Sequence, residues 1–150
     1  MRGVAPERLI FAPRRPLDEH MARQTLADLF LDTLPYGAHT TASDALWVGL
    51  PVLTCMGKTF AGRVAASALL ALGLPELVTS SLADYEEAAR AFAQSPERLA
   101  AVKAKLIQNR HIEPLFDTAR ITRDLEAAYT VMWEKAQNGE SPTSFSVLSL

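Results

Sequence analysis

Residues 29–55 read LFLDTLPYGAHTTASDALWVGLPVLTC, and this stretch decides the fold. Apolar runs at 29–32 and 51–55 each predict a short strand. Between them, residues 40–48 have a helical pattern that stops at Gly49, a residue that tolerates the left-handed backbone of a helix end. A strand, a helix and a strand joined by short loops predict two parallel strands connected by a crossover helix.

The same alternation extends outward in both directions. It predicts further strands at 8–12 and 76–79, and helices at 18–27 and 60–72, with Asp18 as the N-cap of the first and Thr59 of the second. Another helix begins at Ser81 or Asp84 and reaches about Gln94. Strands that are apolar almost throughout are typical of a sheet covered on both faces. The sequence therefore predicts an α/β fold with a Rossmann-like, doubly wound parallel sheet.

Residues 95–139 carry no strand pattern and predict a helical end to the domain. Ser95 and Pro96 suit a helix start, and a second helix begins near Asp117. Apolar side chains recur on one face of that second helix, at Ile121, Leu125, Tyr129, Met132 and Trp133. We favour their packing on the sheet; the alternative is a surface for a partner domain. We expect one domain over 1–139 and a disordered tail over 140–150.

Composition excludes several classes of function. The chain of 150 residues has 15 basic and 17 acidic side chains, which argues against general nucleic-acid binding. One cysteine, Cys55, permits no intrachain disulfide, and the three histidines lack the short spacing of a zinc site. No run approaches the ~20 apolar residues that span a bilayer, and the start lacks the apolar core of a signal peptide. We expect a cytoplasmic protein that uses no metal, membrane or nucleic acid.

The strongest candidate site is His39-Thr40-Thr41, which follows a strand and opens a helix. The first N–H groups of a helix lack internal acceptors and carry the positive end of its dipole, so a phosphate binds there readily. The threonine hydroxyls and the histidine ring add donors, and Asp44, one turn on, can accept from a ribose. The alternative is that Thr40 or Thr41 caps the helix while His39 packs in the loop. Spacing alone divides these two interpretations evenly.

A second candidate cluster covers residues 14–23. His20 and Arg23 are three residues apart and share one helix face, so together they could hold an aromatic base and recognise its carbonyl oxygens. Arg14 and Arg15 would attract an anion. The alternative is a solvated basic loop.

Three familiar catalytic or nucleotide-binding motifs are incomplete or absent in this sequence. Gly57-Lys58-Thr59 resembles the end of a phosphate loop, but the glycine which that motif requires at position 52 is Val52. Ser43 and Ser67 lack the flanking glycines of a nucleophile elbow, and no G-x-G-x-x-G fingerprint occurs. These failures leave a P-loop NTPase, a serine hydrolase and a nicotinamide or flavin enzyme without support.

Taken together, the motifs resemble the carboxy-terminal catalytic lobe of the O-linked N-acetylglucosaminyltransferase (SPINDLY-like) family. The likeness runs from about Arg8 to Trp133. It rests on motifs in the family's order: RLIFAP from residue 8, EH from 19, LAD from 26, LDT from 31, GAHTT from 37, DALW from 44, GLPV from 49 and RVAAS from 63.

The resemblance implies a GT-B architecture, in which two Rossmann-like lobes face a cleft and this lobe holds UDP-N-acetylglucosamine (UDP-GlcNAc). By position, His39, Thr40 and Thr41 would contact the diphosphate, with His39 stabilising the leaving group, and Asp44 would contact the ribose. The uracil would lie by His20 and Arg23, with the backbone of Arg15 at its edge. The likeness departs at Leu17, where the family usually has a lysine near the ribose.

The resemblance also implies an inverting reaction without metal or cofactor, in which a protein Ser or Thr hydroxyl displaces UDP from the sugar. The family's remaining parts would precede Met1: a further lysine and histidine, a second lobe and tetratricopeptide repeats. The chain alone is therefore expected to be inactive. Its exposed cleft or helical face could let two copies dimerise. A nucleotide-sugar epimerase lobe and a non-catalytic partner-binding domain remain as alternatives.

Overall fold

The computed structural model describes residues 3–147. Within them, three strands alternate with helices in the first two thirds, and helices alone make up the rest. The strands are β1 (Phe30–Leu31), β2 (Val52–Cys55) and β3 (Val78–Thr79). The α-helices are α1 (Leu17–Gln24), α2 (Thr40–Val48), α3 (Val64–Ala71), α4 (Leu82–Gln94), α5 (Pro96–Asn109) and α6 (Thr118–Gln137).

The strands form a parallel sheet in the order β1-β2-β3, with Phe30 opposite Val52 and Thr54 opposite Val78. Every residue of the central strand β2 is buried, and α2, α3 and α4 all pack against it. A strand buried along its whole length needs cover on both faces of the sheet. The predicted α/β fold with a doubly wound parallel sheet is confirmed.

The helix after β1 has the bounds that the sequence predicts. Helix α2 ends at Gly49, whose φ of 86° is the left-handed conformation that glycine adopts without strain. The Gly49 N–H donates to the Leu46 carbonyl and the Leu50 N–H to the Ala45 carbonyl, which satisfies two of the last carbonyls of the helix. These bonds turn the chain directly into β2.

The core lies between the sheet and its helices. Leu46 of α2, Leu53 of β2 and Leu69 of α3 are fully buried in one cluster, and Phe92 of α4 joins them. Thr54 and Asp32 are the buried polar side chains of the described chain. The apolar cluster fixes the sheet, and the two polar groups lie where β1 and β2 approach their carboxyl ends.

The prediction of a strand at 8–12 is wrong in this structure. Residues Pro6–Arg8 form a single 3₁₀ turn, and Ile10 and Phe11 are 88% and 90% exposed. An apolar run becomes a strand only where a neighbouring strand offers hydrogen-bond partners, and β1 pairs with β2 alone. The sequence pattern could not reveal that no described strand lies beside this segment.

Several element ends also differ from prediction. Helix α1 follows Pro16 with no side-chain cap, so Asp18 is not its N-cap. Helix α3 begins only at Val64, because residues 58–63 form turns in which Thr59 Oγ1 accepts from the Gly62 N–H. Strand β3 is shortened by the 3₁₀ turn Pro75–Leu77. Each shift comes from local turn hydrogen bonds, which apolar periodicity does not detect.

The helical end departs from prediction in one respect. None of the residues of α6 is buried, and its apolar row is exposed, from Ile121 at 44% to Trp133 at 67%. The favoured packing of this row on the sheet is therefore wrong. The predicted disorder of the tail over 140–150 stays a prediction. Within the tail, Thr143 Oγ1 accepts from the Lys135 ammonium, and residues 148–150 lie outside the described part of the chain. No helix within residues 3–147 is long and apolar enough to cross a membrane.

Candidate functional site

Helix α2 begins at the carboxyl edge of the sheet with its first donors unpaired. Its N-cap is His39, and no side chain caps the helix. Thr40 and Thr41 are the first two helical residues and are exposed, and neither their N–H groups nor their hydroxyls have a partner within residues 3–147. The alternative in which a threonine caps this helix is therefore wrong. Free N–H groups at the positive end of a helix form a site for an anion.

The His39 ring is fixed beside these donors. Its Nε2 lies 3.2 Å from the carbonyl oxygen of Ala61, and its ring is stacked on Tyr36 with centroids 5.0 Å apart. Phe60 meets the ring edge-on, at 6.1 Å between centroids. A carbonyl oxygen only accepts, so Nε2 carries the proton and donates. The remaining nitrogen, Nδ1, has no partner in the described chain, and it donates to a ligand only when the ring is in its doubly protonated imidazolium form.

Asp44 is the fifth residue of α2 and is partly buried. Its carboxylate makes no hydrogen bond or ion pair within the described chain. It lies on the same helix as Thr40 and Thr41, one turn further from the helix start. The carboxylate is thus free to accept from a ligand's hydroxyl groups.

The second candidate cluster adjoins the first because α1 packs against α2. Arg23 donates from one guanidinium nitrogen to the Pro13 carbonyl at 2.6 Å, and from the other to His20 Nδ1 at 2.9 Å. Since a guanidinium has no acceptor, Nδ1 of His20 accepts and Nε2 carries the proton. Arg23 thus fixes both the His20 tautomer and the backbone before α1.

Gln24 completes the hydrogen bonds of His20. Its side-chain amide nitrogen lies 2.9 Å from His20 Nε2, while its buried Oε1 has no partner within the described chain. A half-turn of the amide lets Oε1 accept the Nε2 proton, which satisfies both groups. With both ring nitrogens engaged, His20 offers a ligand the face of its ring.

The Arg15 side chain does not join this cluster. It is exposed and lies 3.7 Å from the Glu19 carboxylate, an ion pair of the kind that contributes little to stability. Arg14 is also exposed. The backbone of Arg15 is tied to the cluster only through the chain, since Arg23 holds the Pro13 carbonyl just before it. Within residues 3–147, no three His, Cys, Asp or Glu side chains come together as metal ligands.

Asp32 is the site-forming residue that sequence reasoning missed. Its buried carboxylate accepts from the N–H groups of Thr33 at 2.8 Å and Ala38 at 2.7 Å, and from Thr54 Oγ1 at 2.7 Å. Its carbonyl accepts from the Tyr85 hydroxyl at 2.8 Å. The available sign was an acidic residue at the end of a short apolar run, which the strand prediction over residues 29–32 includes only as its last residue.

The Tyr85 hydroxyl is perturbed by this environment. Burial raises its pKa above the ordinary value, and the nearby Asp32 carboxylate and Cys55 thiol raise it further. Each of these effects disfavours the phenolate. The hydroxyl therefore stays protonated and donates to the Asp32 carbonyl.

A groove of about 800 Å³ lies next to His39. It runs between residues 56–60 and α3, and its walls include Met56, Phe60 and Leu70, with Lys58 and Arg63 at its polar parts. Phe60 lines this groove and also contacts the His39 ring edge-on. Thr40 and Thr41 lie outside the groove on open surface.

An uncapped helix start at the carboxyl edge of a parallel α/β sheet lies where folds of this kind commonly bind their ligands. The profile of glycosyl transferase family 41 matches residues 1–125. The chain belongs to this glycosyltransferase family, as the sequence motifs suggested.

Relatives and a solved structure agree with this assignment. The chain is 40% identical over 148 residues to the Arabidopsis thaliana probable UDP-N-acetylglucosamine–peptide N-acetylglucosaminyltransferase SEC, covering 98% of this chain and 15% of that protein. It is 37% identical over 138 residues to the Caenorhabditis elegans UDP-N-acetylglucosamine–peptide N-acetylglucosaminyltransferase, covering 92% and 12%. A mutant of the Thermobaculum terrenum O-GlcNAc transferase superposes with a TM-score of 0.81 and 36% identity, covering 90% of this chain and 26% of that one.

Proposed function

We propose that this chain is the UDP-sugar-binding lobe of an inverting protein O-GlcNAc transferase. One observation carries the proposal: the uncapped start of α2 presents the free N–H groups and hydroxyls of Thr40 and Thr41, within a family 41 chain. The matched relatives are named for transfer of N-acetylglucosamine from its UDP derivative to peptides. The donor is accordingly UDP-GlcNAc, and the acceptor is a Ser or Thr of a protein.

Each part of UDP has a matching group in the chain. The diphosphate accepts from the N–H groups and hydroxyls of Thr40 and Thr41 and from Nδ1 of His39 in its imidazolium form, and the Asp44 carboxylate accepts from the ribose. The uracil rests on the face of His20. Arg23 supports it indirectly, by holding the Pro13 carbonyl and hence the backbone at Arg15.

The chemistry follows from where charge develops. The acceptor hydroxyl forms a bond to the anomeric carbon as the bond from that carbon to the UDP oxygen breaks; the electron pair leaves with the diphosphate, and the hydroxyl proton passes to the departing diphosphate or to water. Donors already aimed at that charge lower the barrier because they need no reorganisation during the reaction. His39 and the start of α2 therefore act on the leaving group, without metal or cofactor.

The chain spans about 12–15% of the curated relatives and 26% of the solved structure that it matches. We infer that the acceptor-side groups, with a facing lobe and upstream repeats, belong to the rest of a longer cytoplasmic protein. The isolated chain then binds UDP but transfers no sugar.

The test is product analysis with the full-length protein, UDP-GlcNAc and a Ser-containing peptide. Glycosylated peptide together with free UDP supports the transferase. An epimerised sugar indicates an epimerase, and UDP binding without turnover indicates a non-catalytic binding domain; either result overturns the proposal. The variant carrying both Thr40→Ala and Thr41→Ala should lose product, whereas Thr130→Ala, an exposed threonine on α6, should not.

A further inference from the structure

We propose that Asp32 is a positioning residue for the diphosphate site: its buried carboxylate holds the loop that sets the start of α2. This inference rests on the proposed function. It deepens it by naming a group that touches no substrate yet determines how tightly the nucleotide is bound. The supporting observations are the carboxylate's contacts on three sides.

The first observation is the anchoring of Asp32 itself. Its N–H donates to the Leu53 carbonyl at 3.0 Å, which continues the β1–β2 pairing. Its Oδ2 accepts from Thr54 Oγ1, a buried hydroxyl of β2. The carboxylate is therefore fixed to the central strand and cannot follow movements of the loop.

The second observation is what the carboxylate holds. Oδ1 accepts from the N–H groups of both Thr33 and Ala38, which are the first and the last residue of the loop before His39. Hydrogen bonds to an ionised carboxylate are among the stronger ones in proteins. Ala38 precedes the N-cap of α2, so its bond to Asp32 fixes the direction from which the chain enters the helix.

The third observation is the close approach of the loop to this carboxylate. A Cβ added to Gly37 would lie 3.1 Å from Asp32 Oδ2 and 3.1 Å from the Ala61 carbonyl oxygen. The Gly37 N–H donates to that same carbonyl, which also accepts from His39. Gly37 thus lies between two fixed acceptors, and any loosening at Asp32 displaces His39 as well.

The consequence is functional because anion affinity at a helix start depends on the aim of a few N–H groups. A displacement of these donors by a fraction of an ångström weakens binding without unfolding the domain. Asp32 is too enclosed to contact a nucleotide, since its lone pairs already face Thr33, Ala38 and Thr54. Its effect passes through the loop.

The experiment measures UDP affinity and the free energy of unfolding for the wild-type chain and three variants. Asp32→Ala removes the anchor and should weaken UDP binding at least about tenfold. Asp32→Asn keeps an oxygen for Ala38 and should stay within about threefold of wild type. Thr54→Val removes only the bond to Oδ2 and keeps those to Thr33 and Ala38, so it should lower stability but keep UDP affinity within about threefold of wild type.

The chemical shift of the Ala38 amide in an NMR spectrum supplies a second readout, because general destabilisation of the fold does not change it. The Ala38 amide proton should shift upfield in Asp32→Ala and much less in Thr54→Val, where its acceptor remains. Unchanged affinity in a folded Asp32→Ala overturns the proposal, and so does an affinity loss in Thr54→Val equal to that in Asp32→Ala. If Asp32→Ala does not fold, Gly37→Ala tests the same loop, and unchanged affinity there overturns the proposal too. No UDP binding by wild type instead rejects the proposed function.

Discussion

His39 Nε2 lies 3.2 Å from the carbonyl oxygen of Ala61, across a sequence distance of 22 residues. This bond joins the start of α2 to the turn before α3, and it leaves His39 Nδ1 without a partner in the described chain. The same carbonyl accepts from the Gly37 N–H, so one acceptor steadies both the loop and the ring.

His39→Phe tests the contribution of the ring nitrogens. Phenylalanine can keep the aromatic contacts to Tyr36 and Phe60 but has no donor, so UDP affinity should fall about tenfold, which is ~1.4 kcal/mol. Calorimetric titration gives the affinity, and a thermal melt checks that the variant is folded. Equal affinity in the two proteins would show that His39 only packs in the loop.

Arg23→Met tests whether the uracil and the diphosphate bind to separate parts of the site. Losing the bonds to Pro13 and His20 should disturb the uracil side alone, so UDP affinity should drop while inorganic pyrophosphate binds as before. The double variant Thr40→Ala, Thr41→Ala provides the matched contrast, since both ligands should weaken there. Competition titrations measure both ligands. A parallel loss of pyrophosphate binding in Arg23→Met would refute the division of the site into two parts.

Tyr85 gives a pH prediction with a definite sign. Its pKa is raised in the folded chain by burial and by Asp32, so the folded state holds the proton more tightly than the unfolded state, where the pKa of tyrosine is about 10. The resulting stability is complete below the unfolded pKa and is lost as the pH rises through the folded pKa. Denaturant unfolding at stepped alkaline pH should therefore show wild type losing stability relative to Tyr85→Phe. A constant difference between them would contradict the raised pKa.

Phe92→Ala and Phe11→Ala form a matched pair for the fold. Phe92 is 1% exposed in the core, and its removal should cost about 3–5 kcal/mol in the free energy of unfolding. Phe11 is 90% exposed, and its removal should change that free energy by less than about 0.5 kcal/mol. Urea unfolding of both variants supplies the comparison. A large cost at Phe11 would show that residues 8–12 pack as a strand after all.

The sequence pattern predicts an element correctly where the local chemistry of its residues and their burial in the fold agree. Helix α2 has its predicted bounds because Gly49 provides the left-handed end and the apolar positions face the buried strand β2. The run at residues 8–12 has equal apolar character, yet its structure depends on a neighbour that no local pattern encodes. For the candidate site, helix-start chemistry predicted that Thr40 and Thr41 offer free donors, and the structure leaves both exposed and without partners in the described chain. Asp32 was missed because its role arises only when Ala38 and Thr54, 6 and 22 residues away, fold against it.

The measurement that tests the central claim most directly is calorimetric titration of UDP into this chain, with two variants beside it. Wild type should bind, and the double variant Thr40→Ala, Thr41→Ala should bind at least about tenfold more weakly. Thr130→Ala removes a hydroxyl from the remote helix α6 and should bind like wild type. Absence of binding at millimolar UDP, or equal affinity in the double variant, would contradict the placement of the nucleotide at the start of α2.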